Sequence, residues 1–237
     1  MKEKLRMKNK ITKYIIFVLL LFLASTCIGQ AAPTTITPSE IINESIEVLE
    51  EMSVSEDSGA FGALLKEAEG IAIFPSIIKI GWGIGGQYGK GIIFRKDSRV
   101  GIWYGPAFVK IKSISVGPQI GIQSIALVLV ISNERGMEGF MEDNLTLGGT
   151  VSFAAGPLGR SLSADTDYKF KASIYSYSLS KGAYIGASFQ GSSIEEDSEA
   201  NELFYGRSIS NRTILGNKIT VNLAVLKLLL LIKKVSK

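Results

Sequence analysis

Ser178-Leu179-Ser180-Lys181 has the spacing in which a lysine three residues on serves a serine nucleophile. Gly81-Trp82-Gly83-Ile84-Gly85-Gly86 has the G-x-G-x-x-G spacing that can cradle a dinucleotide phosphate. Neither stands in the setting its chemistry needs. The serine motif falls at a strand end beside Gly182, without a companion K-T-G. The glycine motif runs into Gln87-Tyr88-Gly89-Lys90-Gly91-Ile92-Ile93-Phe94, a turn into a strand, where a phosphate site requires a helix N-terminus. Glu195-Glu196-Asp197-Ser198-Glu199 offers carboxylates to Ca²⁺ but lacks the alternating oxygen ligands and turn glycine of a calcium loop, and reads as a solvated loop. Glu134, Glu138, Glu142 and Asp143 are spaced as a polar helix face, and Asp165 and Asp167 lie in a turn, so no pair of acids stands out for carboxylate-only hydrolysis. The chain has no histidine, and its one cysteine is Cys27. Histidine-activated nucleophiles, His-ligated zinc and the commonest general base are therefore excluded. The residues point to no catalytic centre, no metal and no cofactor, and what remains is binding.

The position of Cys27 leads to the N-terminus. Lys2, Lys4, Arg6, Lys8, Lys10 and Lys13 precede an uninterrupted apolar run, Ile15 to Leu23, which gives way to small and polar residues ending in Gln30-Ala31-Ala32-Pro33. This is the layout of a secretory signal over residues 1–31. The 16 residues from Tyr14 to Gly29 fall short of the roughly 20 a spanning helix needs, which favours cleavage over a permanent anchor. Leu23-Ala24-Ser25-Thr26-Cys27 is shaped like a lipoprotein processing site, with Leu23 one place early and Thr26 larger than the usual small residue. Cys27 is thus either a lipidation site or one more residue of a discarded peptide. The expected location is extracytoplasmic: secreted, periplasmic or envelope-anchored. A fold with no second cysteine must be held by burial.

Without the signal the net charge falls from +4 to −1, so the basicity of the whole chain says nothing about nucleic acid, which is not an expected partner. Residues 32–206 hold 13 cations against 21 acids, whereas residues 207–237 hold seven cations and no acid: a basic tail on an acidic body. No Pro/Ser/Gly linker interrupts residues 32–237, which read as a single domain.

Thr37-Pro38-Ser39-Glu40 reads as a helix start with a capping box. The helix runs to about Met52, with Ile42, Ile46, Leu49 and Met52 on one stripe and Glu44, Glu47, Glu50 and Glu51 outside it. Gly59 to Ala68 suggests a second short helix. From Ile71 the period becomes that of strands: residues 81–191 contain 19 of the 25 glycines, and Gly-Pro pairs at 105–106, 117–118 and 156–157 punctuate them as turns or edges. Ile114 to Gln123 and Gly182 to Gln190 alternate as half-buried strands, and Ile125 to Ile131 is a continuous apolar run fit for a strand buried on both faces. The glycines imply close backbone approach or curvature. Trp82 and Trp103, set among them, are expected to pack in the core or sheet. The fold class is α+β, with a glycine-rich, mostly antiparallel sheet or barrel-like core of about seven or more strands, two N-terminal helices and a C-terminal helix.

Several segments together resemble a known family. Ala68-Glu69-Gly70-Ile71-Ala72-Ile73-Phe74-Pro75, Gly81 to Gly91, Trp103-Tyr104-Gly105-Pro106-Ala107 and Ser115 to Gly121, followed by Ala155 to Arg160, Ile174 to Gly182 and Asn201-Glu202-Leu203-Phe204-Tyr205-Gly206, closely resemble the SYLF domain family, in one order and over about residues 40–232. The resemblance implies a lipid-binding module. Eukaryotic members are associated with phosphoinositide-bearing membranes and some yeast members with actin filaments; prokaryotic members are commonly exported or lipidated. A signal, an acidic first helix and no SH3 or FYVE domain set this chain apart, arguing against actin and phosphoinositides as its ligands and leaving a lipid or membrane surface, or an envelope protein, as the expected partner.

The basic tail is where lipid would be met. Val221 to Lys234 reads as a helix whose apolar residues go most of the way round: Leu223, Leu226 and Leu230 fall near Lys227, and Leu228, Leu229, Leu231 and Ile232 on the other side. Such a helix either closes the open end of the sheet or lays part of its face, edged by Lys218, Lys227, Lys233 and Lys234, on an anionic lipid surface. Asn43, Asn144 and Asn211 each begin an N-x-S/T sequon.

Overall fold

The structure is a computed structural model that describes residues 36–55, 58–143, 145–156, 172–180, 183–184, 189–216, 219 and 223–236, with the backbone alone at 82–84, 115–120, 183–184 and 224. The leader with Cys27, as well as Lys218, Asp165, Asp167 and Asn144, lies outside the described residues, as does the side chain of Trp82. Thr37–Lys237 is one compact unit.

Helix α1, Pro38–Val54, starts where the capping box places it. Thr37 Oγ1 accepts the Glu40 amide at 3.3 Å, and the Glu40 carboxylate accepts the Thr37 amide at 2.7 Å. The Thr37 amide, and then the Thr37 hydroxyl donating to the same carboxylate at 2.9 Å, hold the Glu40 carboxyl below its usual pKa. Helix α2, Ser58–Lys66, brings Phe61, Leu64 and Leu65 into the same core as Ile42, Leu49 and Met52 of α1.

Strand β1 spans Gly70–Asp97 and strand β2 Ile102–Ile131, paired antiparallel from Gly70 with Ile131 to Asp97 with Ile102. A straight strand of that length would reach roughly 90 Å, far beyond one domain of this size, so the ribbon must bend. It bends at three register shifts, between Phe74 and Ile77, between Trp82 and Ile84, and between Ile93 and Arg95. Each holds a proline: Pro75 in the first, Pro118 opposite the second, Pro106 opposite the third. A residue without an amide proton fits where the ladder is already broken, and bulges sharpen local twist. Gly105-Pro106 and Gly117-Pro118 thus mark bulges inside one continuous strand, not turns between strands. Bending carries residues 73–77 of β1 back over residues 89–91: a Cβ on Gly89 would stand 2.8 Å from the Ser76 carbonyl oxygen, and one on Gly91 would overlap that of Ile73. Glycine is required there because main chain meets main chain.

Strands β3 (Leu145–Thr146), β4 (Phe153–Ala155), β5 (Ile174–Ser180), β6 (Ala183–Tyr184) and β7 (Ser193–Glu196) complete a sheet of seven named strands. On the edge of β2 away from β1, β5 pairs along residues 126–131 and β7 along 109–112. Among the described strand pairs only β4–β5 is parallel. The fold is α+β with a curled, mostly antiparallel sheet.

Ile125 to Ile131 is buried on both faces. Val128 and Val130 join the core under α1 and α2, while Leu127, Leu129 and Ile131 join a second core on the other face. That second layer comes from α3, Glu134–Met141, and α5, Asn211–Gly216, through Met137, Phe140, Ile214 and Leu215. Trp103 is buried in the first core, as its setting among glycines suggested.

The acidic run at 195–199 is ordered differently from the solvated loop the sequence suggests. Glu195 and Glu196 end β7, and Asp197 caps helix α4, Ser198–Tyr205, accepting the Ala200 amide at 3.3 Å. Asp197 is buried and has Lys90 Nζ at 2.9 Å. Burial by itself would lower the Lys90 pKa, but the hydrogen bond and charge of Asp197 outweigh it, and the ammonium is held above its ordinary value. The neighbouring Asn201 accepts the Phe108 amide and donates to Asn211, both at 2.9 Å, tying α4 and α5 to β2. Asn211 is buried, so its sequon is closed to modification, whereas Asn43 is exposed on α1.

Candidate functional site

Helix α6, Leu226–Val235, follows a 3₁₀ turn at Leu223–Val225 and packs on α1 and α2. Gly62 of α2 makes the approach possible, since a Cβ there would overlap the Val235 carbonyl oxygen. Leu228 and Ile232 are buried, with Leu229 and Leu231 half-buried beside them. The opposite stripe, Leu223, Leu226 and Leu230, is exposed. One side of this helix is thus a lid on the core, as the first alternative has it, and the other is an apolar face in water.

The lysines assigned to this face divide. Lys233 and Lys234 are exposed in the last turn of α6, where cations suit the negative end of the helix dipole. Lys227 pairs with Glu50 of α1 at 3.0 Å and so also joins the first helix to the last. With both partners more than half or half exposed, that pair contributes about 0.2–1 kcal/mol.

A second surface has no counterpart in the sequence reading. A groove of about 680 Å³ runs between α1 and the sheet, with Glu44, Glu47 and Glu51 on the helix wall and Pro75, Ser76, Ser124, Ala126, Leu179 and Ser180 on the floor. Among the described residues no Lys or Arg forms an ion pair with these three glutamates. Partial burial, and then the charges of Glu47 and Glu40, push the Glu44 carboxyl above its usual pKa. The glutamates are legible as an outward face of α1; that a strand floor with Pro75 in it lies beside them is announced by no local pattern. A smaller hollow of about 250 Å³ at the turn of the ribbon holds Arg95, Lys96 and Arg99 together with Glu69, Asp97 and Glu134. Its charges balance, with Arg95 on Glu134 at 2.8 Å, so it presents no net field to a ligand.

The nucleotide-like and serine-like motifs find no site. Gly81 to Gly86 lies wholly within β1, with no helix N-terminus after it, and Ser178 is buried in β5, while Lys181 lies outside the described residues. Among the described residues no helix is long and apolar enough to cross a membrane.

Residues 112–235 match the family described as Ysc84, Las17-binding protein actin regulator. The chain is 34% identical over 161 residues to Protein YSC84 of Saccharomyces cerevisiae, covering 67% of this chain and 34% of that protein. It is 36% identical over 145 residues to SH3 domain-containing YSC84-like protein 1 of Xenopus laevis, covering 61% and 43%, and 36% identical over 159 residues to LAS seventeen-binding protein 3 of Saccharomyces cerevisiae, covering 66% and 34%. The chain thus spans less than half the length of these curated relatives.

Proposed function

We propose, from the premise that this chain belongs to the Ysc84 family of SYLF domains, that it is a non-catalytic module that binds a lipid or membrane surface outside the cytoplasm. The observation that carries this reading is the exposed stripe of Leu223, Leu226 and Leu230 ending in Lys233 and Lys234. An apolar face edged by cations gains from lipid twice: leucines leave water, and each lysine near an anionic surface adds about 1 kcal/mol. Lys218 belongs to the same basic tail. Export rests on the leader, Lys2 to Ala31, and lipidation of Cys27 would add one chain's worth of anchoring. Actin regulation and Las17 binding, by which the family is described, are carried by longer relatives, and an extracytoplasmic chain would not meet those partners.

Liposome flotation tests the reading. Lys233→Glu with Lys234→Glu weakens binding to anionic vesicles, added salt does the same to the parent, and the melting temperature stays nearly unchanged. Equal flotation of variant and parent, at low and high salt, would remove the tail from the lipid site. Lys227→Glu is kept separate because it sets a carboxylate beside Glu50.

A second reading, an envelope protein that binds protein and not lipid, is favoured by the groove lined by Glu44, Glu47 and Glu51. A domain that floats with no vesicle yet retains a lysine-rich peptide, and loses it on Glu47→Lys, would be of that kind.

A further inference from the structure

The ribbon continues past the helices that cover it. Alternation carries the α1 side of β2 from Val130 and Val128, in the core, through Ala126, packed at its margin, to Ser124 and Ile122. On β1 the partners of Ser124 and Ile122 are Ile78 and Ile80. These isoleucines are in water: Ile80 is 56% and Ile122 73% exposed, though they face each other as a cross-strand pair. Beyond the bend the same happens again, as Phe108 of the core leads through Lys110 and Lys112 to Ile114, 84% exposed, with Tyr88 half-exposed opposite Lys112.

We propose that the uncovered isoleucines of the ribbon, Ile78, Ile80, Ile114 and Ile122, enter the interfacial layer of a lipid bilayer, making this sheet face a principal lipid contact of the domain. The inference rests on the lipid reading above and names a different surface for it. Three observations select lipid as the occupant. The patch offers aliphatic area without directional groups: the hydroxyls at its margin, Ser76 and Ser124, are 2.9 Å apart and bonded to each other. Protein interfaces of ordinary size carry about ten direct hydrogen bonds, and a hydrocarbon layer asks for none. Charge agrees, because the ribbon holds no carboxylate from Gly70 to Lys96 or from Ile102 to Ile131, and Lys90 and Lys112 are paired with Asp197 and Glu195, so the isoleucines stand in a stretch with little net charge of its own, which suits insertion without an anionic lipid. Tyr88, with an apolar ring and a polar tip, is of the type that collects at membrane interfaces.

The charges beside the patch fix its orientation. Glu44, Glu47 and Glu51 stand where the patch meets α1 and mark the limit of the contact. Insertion driven by isoleucine does not need an anionic lipid, which separates it from attraction through Lys233 and Lys234.

The test uses the compact unit Thr37–Lys237, free of the apolar leader. Ile80→Ser with Ile122→Ser is compared with the parent by flotation on phosphatidylcholine vesicles and on the same vesicles with phosphatidylglycerol added. The expected result is a fall in partitioning of about tenfold on both, with an unchanged melting temperature. Parent-like partitioning of the variant overturns the ribbon contact while leaving lipid binding intact. A parent that floats with neither vesicle removes the lipid reading itself and this inference with it. Should the double variant unfold, Ile122→Cys labelled with a polarity-sensitive dye decides, since the unit has no other cysteine: a blue shift with vesicles supports insertion, and a water-like signal on floating protein refutes it.

Discussion

At its root, and again past its middle at Ile92, Phe94, Trp103 and Phe108, the ribbon is covered, and between these stretches its α1-side face carries isoleucines in water. Ile71, Ile73, Val128 and Val130 meet α1 and α2, and Ala72, Phe74, Leu127 and Leu129 meet the layer of α3 and α5. A few residues further, Ile78, Ile80 and Ile122 have the same side chains, strand spacing and pairing, and stand in water. The difference lies in neither propensity nor pattern. It is set by where helices end, so a strand's alternation tells which residues share a face and leaves open what that face meets.

Four measurements break or sharpen this contrast. At the root, Leu129→Ala opens a cavity in a fully buried layer and should cost about 2–5 kcal/mol in chemical denaturation; a loss below about 1 kcal/mol would mean that the second core is loosely packed. Lys90→Met strands the buried Asp197 carboxylate and should cost about 2–3 kcal/mol near neutral pH. Because the Lys90 pKa is raised on folding, the pair's stabilisation is complete below the unfolded lysine pKa and is lost as pH rises through the folded one. Parent and variant stabilities should therefore converge only in strongly alkaline solution, and a gap constant across that range would refute the assignment. Gly91→Ala pushes a methyl into the Ile73 carbonyl where the ribbon folds over itself, and a loss of about 1–3 kcal/mol is expected from the shift in thermal midpoint. Ile122→Ser, in the same ribbon, should stay within about 0.5 kcal/mol of the parent, because the side chain is already hydrated. A large loss there would show that something in the folded protein covers the middle of the ribbon.

The sequence disclosed what is local. Thr37 and Glu40 announce the first helix, and the seven-residue run from Ile125 announces a strand buried twice. The split of the last helix into Leu228 and Ile232 against Leu226 and Leu230 follows from angular spacing alone. It could not disclose which breaks end a strand and which only bend it. Gly105-Pro106 and Gly117-Pro118 look like turns, yet both sit in bulges of one 30-residue strand, because pairing on either side outlasts the interruption. Helices α4 and α5 are short and carry weak apolar stripes; their positions depend on Asp197 and Asn201 finding Lys90, Phe108 and Asn211 across the fold. The acidic groove was hidden for the same reason, half of it being glutamates on a helix and half serines on three strands distant in sequence.

Strand β1 is 28 residues long and pairs with no strand but β2 among the described residues. Wherever an edge of so long a strand is uncovered it invites growth, since a second copy could lay a strand along it. Pro75 sits early on that edge with no amide proton to offer, at a place where the bulge has already turned the ladder aside. Lys79 then sets a charge a few residues further along. The proline that bends the ribbon therefore also blunts it against polymerisation, and Pro75→Val, folded or nearly so, should form thioflavin-binding aggregates on storage under conditions in which the parent stays clear.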